Sequence, residues 1–223
     1  MEKQIVINSN KLNKMEFIEN LKWRYATKKF DSQRIVSEKD LKLLKEAVQL
    51  SVSSYGLQLY KVLIVEDKSL REQLREASWG QSQVTEASHL FVFCNFSEHK
   101  EEYIDNYINN IALTQQIAIS DIQGYGDFIK ESLGRKTISE WQSWSKQQTY
   151  LSLANLLNAC AELKIDACPM EGFDASAYNE ILGLDKRGLN ASVIAPVGYR
   201  SKEDKTQYRK KVRKTMEELF ETV

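Results

Sequence analysis

Proline is nearly missing from this 223-residue chain, which has 2, and glycine is scarce at 9. So few breakers imply long helices with short connections. They count against an all-β sandwich, whose turns need such residues every few strands. Cysteine is thin as well. Cys94, Cys160 and Cys168 form an odd set without CxxC spacing, so they give no disulfide framework or zinc site, and buried reduced thiols are expected. There are two histidines, His89 and His99, and no HxxH or HExxH pattern, GxSxG elbow or Walker-type loop. No charge of one sign prevails: 31 Lys and Arg cancel 31 Asp and Glu. That balance argues against a nucleic-acid partner, whose binding rests on neutralising phosphates. No apolar run approaches the roughly 18 residues that suggest a membrane span, and residues 1–14 lack the apolar core of a secretory signal. A cytoplasmic address without a membrane partner is expected.

What is present is enough apolar sequence, 42%, to build a core. Residues 1–14 read as a polar arm and 15–223 as a single α+β domain, with a charged C-terminal extension from about 199. Helical spacing begins at Met15 and continues through Phe17, Ile18, Leu21 and Tyr25. Ser37 with Asp40 three residues on resembles a capping box, and Leu41, Leu44, Ala47 and Val48 continue one face. Strands are expected over 60–66 (YKVLIVE), 90–96 (LFVFCNF) and 191–197, where β-branched and aromatic residues concentrate. Between them the pattern predicts helices around 70–77, over 98–120 and over 138–163. The last is apolar nearly all round in its second half, which suits a helix buried centrally or in a subunit interface. Gly124, Gly126 and Gly134 mark the middle of the chain as flexible, with GlyTyrGly read as a loop.

An enzyme with no metal, histidine or nucleophile motif can take its chemistry from a cofactor. Arg24 and Lys28, four apart near the end of the first helical stretch, are expected on one helix face. Lys211 and Arg213, two apart, share a side of an extended segment. These four cations suit a phosphate, with Arg as a fork and Lys as a point charge; solvated surface charge is the alternative. Ser53-Ser54 offer hydroxyls before a sharp Tyr55-Gly56 turn. In CysProMetGluGlyPhe (168–173), Pro169 removes a donor and Gly172 admits close backbone approach, so a peptide amide could face a planar heterocycle. An ordinary turn remains the other reading.

Five stretches in order, RYATKKFD (24–31), SSYGLQ (53–58), WGQSQVTEASH (79–89), DACPMEGFD (166–174) and VIAPVGYRSKED (193–204) with KxR at 211–213, resemble the FMN-dependent nitroreductase family from about Phe17 to Arg213. The resemblance implies a nitroreductase-like α+β fold with a small, mostly antiparallel sheet flanked by helices. It also implies a homodimer with FMN at the subunit interface and a C-terminal strand exchanged between partners. Arg24, Lys211 and Arg213 would contact the phosphate, and Lys28 and Gln83 the N1/O2 edge of the flavin. Tyr25 and Ala26 stand where many members have His and Ser. Ser53 and Ser54 would reach the flavin from the partner, and Gln148 and Tyr150 would lie near its pocket. The strip Pro169, Met170, Glu171 and Gly172 would turn backbone amides toward N5 and O4. The implied activity is ping-pong hydride transfer from NADH or NADPH through flavin N5 to nitroaromatics, quinones or similar small acceptors. Enones, halogenated phenols and pteridines are alternatives, as is a non-catalytic flavin-binding protein. No catalytic side chain and no metal are implied.

Overall fold

The computed structural model describes residues 16–223, so the expected arm over 1–14 and the start of the first helix at Met15 lie outside the described residues. Among the described residues four strands form one antiparallel sheet: β1 (Tyr60–Val65), β2 (His89–Phe96), β3 (Asp166–Ala167) and β4 (Leu189–Gly198), in the order β1-β2-β4-β3. The β2 run HLFVFCNF is buried along nearly its whole length because both of its faces are covered. Its side chains alternate with the pleat. Leu90, Val92 and Cys94 join a core with Leu74, Met170, Tyr178 and Ile194, while Phe91 and Phe93 join the opposite one with Leu44, Leu156, Cys160 and Val193.

Helices α2 (Glu38–Gln49) and α7 (Ile138–Glu162) cover the second face, and α3 (Lys68–Glu76) and α8 (Ala175–Leu182) lie against the first. Ser37 caps α2 as its spacing suggested, accepting from the Asp40 amide at 3.1 Å. Thr137 and Glu140 cap α7 reciprocally. One turn, α4 (Gln83–Glu86), leads into β2.

Two expectations need correction. The helix expected over 98–120 is α5 (Glu101–Gln115), which stops where Gln116 turns left-handed at φ 56°, and the flexible middle is helix α6 (Ile119–Gly134). GlyTyrGly is therefore helical. A Cβ on Gly126 would sit 2.8 Å from Ile108 Cγ1, so this glycine lets α5 and α6 close together, and that packing outweighs its poor helix propensity. The hairpin buries Ile104, Ile108, Ile129 and Leu133 with Trp141 in a third cluster. The first helix, α1, ends at residue 23, before Arg24 and Tyr25.

All three cysteines are buried and free, as expected, and burial holds Cys94 protonated with its pKa pushed up to about 12. His89 is also buried, bonding Ser88 Oγ through Nδ1 at 2.8 Å, with its pKa lowered by that burial. Among the described residues no helix is long and apolar enough to cross a membrane, and no group of acids, histidines and cysteines could hold a metal.

Candidate functional site

Arg24 and Lys28 do not share a helix face, because α1 has already ended. They flank an irregular segment held by tertiary contacts. Ala26 bridges to Ala167 on β3 in parallel, and Phe30 bridges to Arg200. The Thr27 amide donates to the Ala167 carbonyl at 3.5 Å, and the Lys28 and Lys29 amides donate to Asp204 Oδ2 at 2.8 and 3.2 Å. The Tyr25 hydroxyl donates to the same oxygen at 2.9 Å, so it is committed inward and its pKa is raised, first by burial and then by that carboxylate.

The C-terminal chain returns to this corner. Lys211 Nζ donates to the Arg24 carbonyl. Arg24, Lys211 and Arg213 repel one another. The pKa of Arg24 is lowered first by burial and then by Arg213; that of Lys211 is lowered by burial, Arg24, Arg213 and Arg200. Neither these three nor Lys28 forms an ion pair with any carboxylate among the described residues. Like charges gathered without counterions cost free energy unless an anion relieves them.

Beside the cations runs the strip 169–172. Cys168 and Met170 pair with β4 through amide donation to Pro196 at 3.0 Å and Ile194 at 2.8 Å. Met170 therefore has no amide to offer, and Pro169 never had one. The amides of Glu171 and Gly172 meet no acceptor among the described residues. Gln81 Nε2 fixes the strip by donating to the Gly172 carbonyl at 2.7 Å, and a Cβ on Gly172 would come within 3.1 Å of the Trp79 ring. The Tyr150 hydroxyl donates to the Glu171 carboxylate, which, after burial, raises the phenol's pKa to about 12. Gln83 is buried with its carboxamide unpartnered among the described residues. Arg24, Lys28, Lys211, Arg213 and the strip thus form one constellation around the β3 end of the sheet.

Ser53 and Ser54 lie elsewhere. Ser53 Oγ accepts from the Gln58 amide at 2.8 Å, and the Ser54 amide donates to Gln148 Oε1 at the same distance. Gln148 Nε2 donates to the Trp144 carbonyl, so both ends of its carboxamide are bonded within the chain. Tyr55 at φ 57° and Gly56 at φ 76° form the expected sharp turn. Among the described residues no hydrogen bond joins this loop to the cations. Sequence reasoning assigned nothing to Asp166, Arg200, Asp204 or Gln81. All four lie within the quoted stretches, but nothing local in the sequence distinguishes them from other polar residues.

The nitroreductase family model matches residues 21–199. The chain belongs to the nitroreductase family. The chain is 34% identical over 208 residues to a Staphylococcus epidermidis protein named "Putative NAD(P)H nitroreductase", covering 88% of this chain and 92% of that one. A solved structure of a Bacillus subtilis protein described as a "putative nitroreductase" superposes with a TM-score of 0.83 at 22% identity, covering 94% of this chain and 99% of the other. Another, from Exiguobacterium sibiricum and solved in complex with FMN, superposes with a TM-score of 0.78 at 16% identity, covering 93% and 97%. At such identities the two structures establish the shared fold, in agreement with the expected α+β class and its small antiparallel sheet flanked by helices.

Proposed function

We propose that this nitroreductase binds FMN and, as a homodimer, uses NADH or NADPH to reduce nitroaromatics, quinones or similar small planar acceptors. The observation that carries this reading is the set of cations without counterions, Arg24, Lys211 and Arg213, beside two free amides at Glu171 and Gly172. That donor set suits a phosphate joined to a planar heterocycle. Arginine forks the phosphate oxygens, lysine adds point charge, and backbone amides read heteroatoms at a ring edge. FMN, when bound, supplies the hydride chemistry that no side chain here offers.

The chain's own part is orientation and electrostatics. The Glu171 and Gly172 amides would hold the ring by its N5 and O4 side. Lys28, exposed and unpaired, would stabilise negative charge at the N1/O2 edge, with the Gln83 carboxamide beside it. The loose demand of a flat stacking site fits acceptors that share only planarity, so enones, halogenated phenols and pteridines belong to the same assay panel.

A second copy would complete the site with Ser53 and Ser54, which one chain leaves apart from the cations. Surfaces consistent with a dimer are abundant. Leu151 is exposed on α7, Leu50 and Val52 on the loop after α2, and Val212, Leu219 and Phe220 on the tail. Strand β1 is a sheet edge beside an apolar cleft lined by Val48, Val62, Ile64 and Phe91, a place for a partner's C-terminal strand. The test is direct. Purified protein should be yellow, and NADH or NADPH should bleach it under anaerobic conditions, with colour restored by an added quinone. A colourless protein overturns the flavin reading; a yellow protein bleached by neither nucleotide overturns the reductase reading and leaves a flavin carrier.

A further inference from the structure

Three cations that repel one another can receive a phosphate only if something other than a counterion holds them in place. The residue that does so is Asp204. Its side chain is 3% exposed, and it binds both parts of the chain that deliver the cations. Oδ2 accepts from the Tyr25 hydroxyl at 2.9 Å, the Lys28 amide at 2.8 Å and the Lys29 amide at 3.2 Å, all in the segment bearing Arg24 and Lys28. Oδ1 accepts from the Thr206 amide at 2.9 Å, capping the short 3-10 turn Lys205–Tyr208 that leads to Lys211 and Arg213. Burial alone would raise the carboxyl pKa, but these four donors outweigh it and hold the pKa below the ordinary value, so the group is an anion at neutral pH.

What Asp204 lacks is equally informative: among the described residues it makes no ion pair with a cation of the cluster. Its charge is spent on backbone amides and a phenol, which are geometric partners, and the cations keep their charge for a ligand. The second buried carboxylate, Asp166, does the opposite: its Oδ1 accepts from Arg200 Nε at 2.8 Å and lies 2.6 Å from Nη2. We propose that Asp204 is the positioning residue of an anion cradle, fixing the 24–29 segment against the C-terminal chain so that Arg24, Lys211 and Arg213 are spaced for the phosphate of a mononucleotide. This rests on the flavin reading above, and it concerns how the phosphate is recognised.

The experiment titrates the full chain, freed of flavin, with FMN and with riboflavin, which has the same ring but no phosphate, following flavin fluorescence. The parent should prefer FMN. In Asp204→Ala the ratio of the two affinities should fall by about tenfold or more through FMN alone, with riboflavin affinity unchanged within about twofold. Tyr25→Phe, which removes one donor and keeps the ring, should lower the ratio by about threefold. It decides the matter if Asp204→Ala fails to fold. A folded variant that keeps the parent's ratio, or that loses both flavins in equal proportion, overturns the positioning role and leaves Asp204 a structural residue. A parent that binds both flavins equally overturns the phosphate cradle itself, and one that binds neither overturns the flavin reading; either result removes this proposal with it.

Discussion

Arg24 and Arg200 occupy the same corner of the molecule under opposite terms. The Arg200 guanidinium lies 4.1 Å from the Trp23 ring centroid and 4.6 Å from that of Tyr25, and it pairs with the buried Asp166 carboxylate. Arg24 is flanked by those same two aromatic residues in sequence, yet its charged neighbours in this corner, Arg213 and Lys211, are cations. The contrast separates two uses of charge. A guanidinium stacked and paired with a buried acid is part of the frame, since removing either partner would strand the other. A guanidinium crowded by like charge is raised in free energy until an anion arrives, which is a property of a binding site.

The largest effect expected from this contrast is on the unpaired side. Combining Lys211→Ala with Arg213→Ala removes two charge-assisted donors and should weaken FMN retention on the order of 100-fold. Thermal stability should hold or rise slightly, because like-charge repulsion is relieved. Equilibrium dialysis with a melting scan measures both. Unchanged flavin content would return these residues to ordinary surface charge and dissolve the comparison.

On the paired side, Arg200→Met keeps the stacking volume but leaves Asp166 buried without its cation. Breaking fully buried pairs costs roughly 3–5 kcal/mol, and Arg200 retains some exposure, so about 2 kcal/mol is expected. For a chain of this size that is a fall of about 4–8 °C in melting temperature. The FMN-to-riboflavin ratio should change far less than in Asp204→Ala. A variant that melts like the parent but loses phosphate selectivity would show that Arg200 is a ligand contact.

Legibility in the sequence followed the same divide between local and non-local causes. Strands β1, β2 and β4 were readable because YKVLIVE, LFVFCNF and ASVIAPVG carry their β-branched and aromatic character locally. Helix α6 was not, because the reason for Gly126 sits on another helix, at Ile108. Arg24, Lys28, Lys211 and Arg213 stand out in the sequence as cations, but Arg24 and Lys28 lie beyond the end of α1 and do not share the helix face expected of them. Convergence comes from Asp204 and from the pairing of Ala26 with Ala167, contacts spanning well over a hundred residues that no periodicity records. The strip 168–173 was visible through Pro169 and Gly172. That Met170 has already given its amide to Ile194, leaving only Glu171 and Gly172 free, depended on its pairing with β4.

Lys28 tests the contrast at its weakest point, since it is unpaired like Arg24 but exposed like many surface lysines. Exposed charges in water interact by well under the strength of buried ones, so its effect on a bound ring should be modest. Lys28→Ala should leave most FMN in place and lower the flavin midpoint potential by about 30 mV, which for a two-electron couple corresponds to about 1.4 kcal/mol. The direction follows from charge: a cation near N1 and O2 favours the form with more negative charge at that edge, and its removal makes reduction harder. Spectroelectrochemical titration of the parent and variant reads the shift without relying on turnover. A potential that stays put would place Lys28 with the solvated lysines, and the working cations would be the three whose charges already crowd one another.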